Sequence, residues 1–145
     1  MSILSTRCIY ALRAVMYTAL ETRARPYVSI RGMAEDLDMP FHFLTKVLQD
    51  LTRHGILTSS RGAAGGVAFA RRPEDLSLLA IVEIIEGPEL FTRCLLGLEG
   101  CGDRKPCPLH RAWAPERKRL KALFARTRLS DITRGLMEKT LRLAN

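Results

Sequence analysis

The stretch VSIRGMAEDLDMPFHFLTKVLQDLTRHGIL, residues 28–57, decides the fold. Ser29 is a favoured helix N-cap, and Val28 and Met33 stand at the N′ and N4 positions of a hydrophobic staple, which predicts a short helix over 30–37. Asp38, Met39 and Pro40 make a turn, with Pro40 suited to the first position of a new helix. That second helix, 40–54, is expected to bury Phe43, Leu44, Val47, Leu48 and Leu51 and to stop at Gly55, the residue favoured at a left-handed C′ position. Two helices and a tight turn make a helix-turn-helix. Its outward residues are His42, Thr45, Lys46, Gln49, Asp50 and Arg53, a set able to meet base edges and phosphates. A solvated face in an ordinary bundle would present the same residues, so the flanks must decide between the two.

Downstream, residues 56–60 (ILTSS) and 67–70 (VAFA) are strand-like runs joined by RGAAGG, a small hairpin directly after the recognition-type helix. A helix-turn-helix followed by such a hairpin is a winged helix. Arg61 at the tip is placed to reach a phosphate or the minor groove. The glycines do not make a nucleotide loop, because no Gly-Lys-Ser/Thr ending follows and they open no helix.

Upstream, residues 5–20 read as a helix with Ile9, Leu12, Val15, Met16, Ala19 and Leu20 at three- and four-residue steps, and Cys8 near its start as a half-buried residue. ETRARPY (21–27) is a basic connector. Beyond the wing, Leu78, Ile81, Val82 and Ile85 form one apolar stripe that ends at Gly87-Pro88. Leu109, Trp113, Leu120, Leu123 and Phe124 recur at helical spacing to about 126, with Pro115 expected to kink the helix or mark a second one. Arg117, Lys118, Arg119 and Lys121 take its other face, and the helix is a natural dimer contact. Ser130 is the expected N-cap of a closing helix over 130–143. The chain therefore reads as mainly α with a small β-hairpin: a winged helix-turn-helix over 1–86, a cysteine-rich loop over 87–113, and dimerisation and closing helices over 114–145, all in one compact domain.

That loop, FTRCLLGLEGCGDRKPCPLHRAW (91–113), holds three of the four cysteines. Cys94, Cys101, Cys107 and His110 are separated by six, five and two residues, with Gly97, Gly100, Gly102, Pro106 and Pro108 between them. Thiolate and imidazole suit zinc or iron, not magnesium or calcium, which want oxygen. A disulfide framework is disfavoured: MSILSTRCIYALRAV shows no export signal, so the reading expects a cytoplasmic chain with reduced thiols. Cysteines as small core hydrophobes fit poorly in a stretch so rich in Gly, Pro and charge. Structural zinc sites usually show a close Cys pair and this loop has none, whereas long gaps suit a cluster whose irons draw ligands from a wider arc. Both metals stay open, with Cys8 as a further ligand candidate.

Composition bounds the rest. At 145 residues and 47% hydrophobic, the chain can build one real core. It has no apolar run near the ~18 residues of a membrane span. A formal charge of +8 and a pI near 9.9 point to an anionic partner, most commonly nucleic acid. A small metal- or thiol-dependent enzyme or redox carrier is the rival class, but no paired-carboxylate site and no nucleophile with an evident base support it.

The Tyr10-Ala11-Leu12-Arg13 run, the 28–57 helix-turn-helix, the wing phrase SSRGAAGGVAFARRP (59–73) and the three-cysteine loop together resemble the Rrf2 family, winged-helix regulators of the IscR and NsrR kind, over nearly the whole length. The resemblance implies a homodimer that binds double-stranded operator DNA and changes affinity as an iron–sulfur cluster is gained, lost or altered. It implies Cys94, Cys101 and Cys107 as ligands, and His110 stands where IscR-type members place a histidine. NsrR-type members use an N-terminal acidic ligand, and no carboxylate lies beside Cys8. Two-iron and four-iron clusters stay open. Thr45 stands where IscR-type members often carry Glu, which leaves the operator class open.

Overall fold

A computed structural model describes residues 2–138 and 141–145. The element order is α1 (Thr6–Glu21), α2 (Ile30–Asp36), α3 (Phe41–Arg53), β1 (Leu57–Ser60), β2 (Gly66–Phe69), α4 (Leu78–Glu86), α5 (His110–Arg126) and α6 (Leu129–Met137), with 3-10 turns at Pro73–Asp75 and Pro88–Phe91. Serine side chains start three of these helices. Ser5, Ser29 and Ser77 accept from the N–H groups of Cys8, Gly32 and Ala80, satisfying donors that the first helical turn leaves orphaned.

The helix-turn-helix forms as its sequence predicts, with local corrections. Asp38 takes the left-handed conformation (φ 51°), and the Met39 N–H closes the turn on the Ala34 carbonyl at 2.8 Å. Pro40 is the N-cap of α3 (ψ 120°), one residue outside its expected position. Gly55 (φ 71°) ends α3 as expected. The Ile56 N–H reaches the Leu51 carbonyl and the Gly55 N–H the Thr52 carbonyl, the paired bonds of a Schellman motif, and Ile56 is buried behind them. Leu44, Val47, Leu48 and Leu51 are buried, but Phe43 is 38% exposed. It sits at the edge of the apolar stripe and packs edge-on against Tyr10 of α1, with ring centroids 5.4 Å apart.

In the wing, β1 and β2 pair antiparallel, Leu57 opposite Phe69 and Ser60 opposite Gly66. Val28 adds a third rung: its N–H and carbonyl bond the carbonyl and N–H of Val67 at 2.8 and 2.9 Å. This explains one glycine of the Gly65-Gly66 pair. Gly66 has φ 145°, and any Cβ there would run into the Val28 carbonyl.

α1 is central, packing on α3, α4 and α6. Its fully buried face is made of small residues, Cys8, Ala11, Ala14, Val15, Thr18 and Ala19, while Leu12 and Met16 are only partly buried. Cys8 is therefore wholly buried where half-burial was expected. α5 continues unbroken through Pro115, neither ending nor restarting there. The missing N–H removes one bond, to the carbonyl of exposed Arg111. The apolar residues of α5 divide: Leu120 and Phe124 pack on the core, while Leu109 and Leu123 are 40% and 44% exposed. Arg117, placed by the sequence opposite the apolar stripe, lies against the loop, its Nη1 donating to the Arg93 carbonyl at 2.7 Å. α6 begins at Leu129 with Arg128 as N-cap, so Ser130 lies inside the first turn and caps nothing. The helix ends at Met137, residues 141–145 carry no helix, and the expected continuation through 139–140 lies outside the described residues. Among the described residues no helix is long and apolar enough to cross a membrane.

Candidate metal centre and nucleic-acid interface

The cysteine loop leaves the 3-10 turn at Phe91 and re-enters regular structure at His110. Gly97 and Gly100 take left-handed φ values of 70° and 68°, which turn the short chain back on itself. The three sulfurs of Cys94, Cys101 and Cys107 all lie within 4.8 Å of one another, and Cys94 Sγ is 3.6 Å from Cys107 Sγ. His110, only 8% exposed, lies beside them: its Nδ1 is 3.4 Å from Cys101 Sγ, while its Nε2 is 3.1 Å from an oxygen of Asp103. A carboxylate, itself fully exposed, meets the far nitrogen while the near nitrogen faces Cys101, the arrangement that second-sphere carboxylates give metal-binding histidines. Cys8 lies apart, on α1 in the core.

The thiols are not equivalent. The N–H of Leu98, reinforced by that of Leu96 and by the neighbouring thiols, outweighs desolvation and brings Cys94 down to about 7. At Cys101 the Cys107 N–H favours the thiolate, but desolvation together with the Cys107 and Cys94 thiols outweighs it and raises the pKa. Burial, and then the charge of Glu86, pushes the Cys8 thiol up to about 12. Of these three thiols Cys94 ionises most readily and Cys8 least.

On α3, His42, Thr45, Lys46, Gln49 and Arg53 fall within an arc of roughly 100° at 3.6 residues per turn. His42, Lys46, Gln49 and Arg53 are exposed, as is Arg61 between the wing strands. Thr45 is half-buried, and its hydroxyl donates to the Phe41 carbonyl at 2.8 Å. With Gln49, Arg53, Ser59 and Val67 it lines a groove of about 440 Å³ between α3 and the wing. Asp50 departs from the expected outward set. It lies on the flank that Phe43 shares and pairs with Arg7 of α1 and, at 2.5 Å, with Arg53. The same pairing steadies Arg53, whose side chain stays 71% exposed.

Sequence reading missed Asp103, Arg7 and the bonds that Trp113 and Arg117 make to the loop. Only Asp103, seven residues before His110, lies close enough in sequence to its partner for spacing to have suggested it.

A family model described as "Rrf2: Iron-dependent Transcriptional regulator" matches residues 4–135. A putative HTH-type transcriptional regulator of Aquifex aeolicus is 30% identical over 125 residues, 85% of each chain. Among solved structures, CymR, the global cysteine regulator of B. subtilis, superposes with a TM-score of 0.75 at 24% identity, covering 92% of this chain and 97% of that one. The T. potens IscR does so with 0.74 at 22%, covering 96% and 91%. These two likenesses confirm the winged-helix architecture. The family match and the Aquifex relative go further: this chain belongs to the Rrf2 family of transcriptional regulators and is not an enzyme.

Proposed function

We propose that the chain acts as a homodimer on double-stranded operator DNA, with Cys94, Cys101 and Cys107 holding an iron–sulfur cluster and His110 as fourth ligand. Redox change, nitric oxide or iron shortage would be registered as gain, loss or alteration of that cluster. The observation that carries the reading is the convergence of three thiols at the start of α5, in a chain that also presents a winged helix-turn-helix. The donors fit such a group: three are soft thiols and the fourth an imidazole, Cys94 ionises readily, and the backbone between them turns on glycines. When bound, a cluster supplies a redox-active centre that oxidants and nitric oxide can attack.

The chain's own residues offer a route from loop to DNA. The loop follows α4, whose last residue, Glu86, accepts the Ser5 N–H at 2.6 Å. Two residues on, Arg7 pairs with Asp50 of the recognition helix. A shift at the loop entry therefore bears on the first turn of α1 and, through it, on α3. In a dimer the two recognition helices must meet half-sites ~34 Å apart, so a small displacement weakens both contacts at once. Exposed Leu123 and Leu109 on and beside α5 suit that helix to the subunit contact. In this division of labour residues 1–86 read DNA, 87–113 hold the metal and 114–145 complete the dimer.

Gel-shift titration of metal-loaded and metal-free protein tests the coupling, which requires different operator affinities in the two states. Equal affinities would refute it. One observation favours a second reading. In a tetrahedral zinc–thiolate site, Zn–S bonds of about 2.3 Å put all the sulfurs ~3.8 Å apart, and here all three lie within 4.8 Å of one another, as around a single ion. Iron, sulfide and zinc analysis of protein purified without oxygen separates the two. Matching iron and sulfide in a coloured protein supports the cluster, and one zinc per chain in a colourless one supports the zinc switch.

A further inference from the structure

We infer that Trp113 and Arg117 are positioning residues that hold the Cys94 arm of the loop in place before any metal arrives, an inference that rests on the metal-binding reading above. The two lie four residues apart on α5, hence on one face of it. Arg117 Nη1 donates to the carbonyl of Thr92 and, at 2.7 Å, to that of Arg93. Trp113 Nε1 donates to the same Arg93 carbonyl at 3.2 Å. These two carbonyls immediately precede Cys94.

The segment is laid antiparallel along α5. Phe91 packs edge-on against Phe124 with ring centroids 5.9 Å apart, Thr92 and Arg93 meet Arg117 and Trp113, and Cys94 then reaches Cys107 beside the first turn. One helix thus frames both arms of the site. His110 is its first residue with Cys107 just ahead of it, and Trp113 and Arg117 further along tie down the segment that delivers Cys94. Residues 95–100 and 103–106 are exposed, so no apolar packing from the loop itself replaces those bonds.

Arg117 shows that this contact is more than a surface arginine at rest. Its Nε is buried and, among the described residues, has no hydrogen-bond partner. A guanidinium in water keeps all its donors bonded. Leaving that donor unpaired is a cost, and the two carbonyl bonds made by Nη1 offset it. Closing a loop costs entropy that ligands must otherwise overcome. A clamp that closes it beforehand raises metal affinity without touching the metal.

The test uses the full-length protein freed of metal under anaerobic conditions, with Co²⁺ alone as the probe because its thiolate bands report coordination directly. Arg117→Ala should weaken Co²⁺ binding at least tenfold and speed amide hydrogen exchange at residues 94–98 by a similar factor, with the amides of α3 unchanged. Arg117→Lys, which keeps the charge and a donor, should recover part of both, and Trp113→Phe should give a smaller loss. Trp113→Phe also serves if Arg117→Ala fails to fold. Wild-type exchange at 94–98 in Arg117→Ala, or in Trp113→Phe if that is the variant that folds, would overturn the inference, as would undiminished Co²⁺ affinity. A wild-type protein that takes up no Co²⁺ would instead refute the metal-binding reading, while the exchange data would still decide whether the clamp holds the arm.

Discussion

In residues 28–69 the backbone rests on Val28, Met33, Leu44, Leu48, Leu51, Ile56 and Val67, each at most 2% exposed, whereas in residues 92–106 no hydrophobic side chain is buried and Leu95, Leu96 and Leu98 are 50–54% exposed. The reading head is held by apolar burial, which acts at all times and does not depend on a ligand. The loop is held by hydrogen bonds from α5 and by what its own thiols can bind. Segments with little buried apolar contact open at low free-energy cost. The difference fits the two roles proposed for these parts: a well-packed winged helix suits a fixed DNA shape, and a weakly packed loop can let metal occupancy change its order.

Breaking the rigid part should have the largest effect. Leu48→Ala removes a side chain 1% exposed in the centre of α3 and should cost about 2–5 kcal/mol in urea unfolding, with operator binding lost whether or not metal is present. Next come the exposed contacts. Lys46→Ala and Arg61→Ala should each weaken operator binding and flatten its salt dependence by about one unit of slope, with metal content unchanged. Loss of metal from either variant would mean that the two regions are not separable as drawn. The smallest effect on the fold is expected from Cys101→Ser. It should abolish metal uptake yet move the stability of the metal-free protein by less than ~0.5 kcal/mol, the scale of a surface substitution. A larger loss would show that the loop supports the core.

The thiols sharpen the contrast through pH. Cys94 titrates lower folded than unfolded, so its contribution to stability is complete above the ordinary value of 9.0 and is lost as pH falls through about 7. Cys8 titrates higher when folded, so its contribution is complete below 9.0 and is lost as pH climbs toward about 12. Iodoacetamide at pH 7 should accordingly modify Cys94 first and leave Cys8 untouched in the native metal-free protein, as peptide mass mapping will show.

Much of this was legible in the residues. Ser29, Gly55 and the 44, 47, 48, 51 stripe mark α2 and α3 through local capping and periodicity, and both depend only on neighbours along the chain. Phe43 and Asp50 were misread for one shared reason. They lie on the flank of α3 that meets Arg7 and Tyr10, and no local pattern announces where α1 will dock. Pro115 was expected to kink the helix or mark a second one, and α5 runs through it as one helix because the one missing bond falls at an exposed turn.

The sequence by itself determined the elements, the basic charge and the set of soft donors, because caps, turns, hydrophobic period and composition are properties of short stretches. Tertiary structure alone decided which of those residues meet. It brought Cys94 to Cys107, set Asp103 behind His110, turned Arg117 onto the 92–93 carbonyls, and tied Arg7 to α3. Most of these contacts join positions far apart in sequence, and they form only once burial of the common core has closed the chain between them.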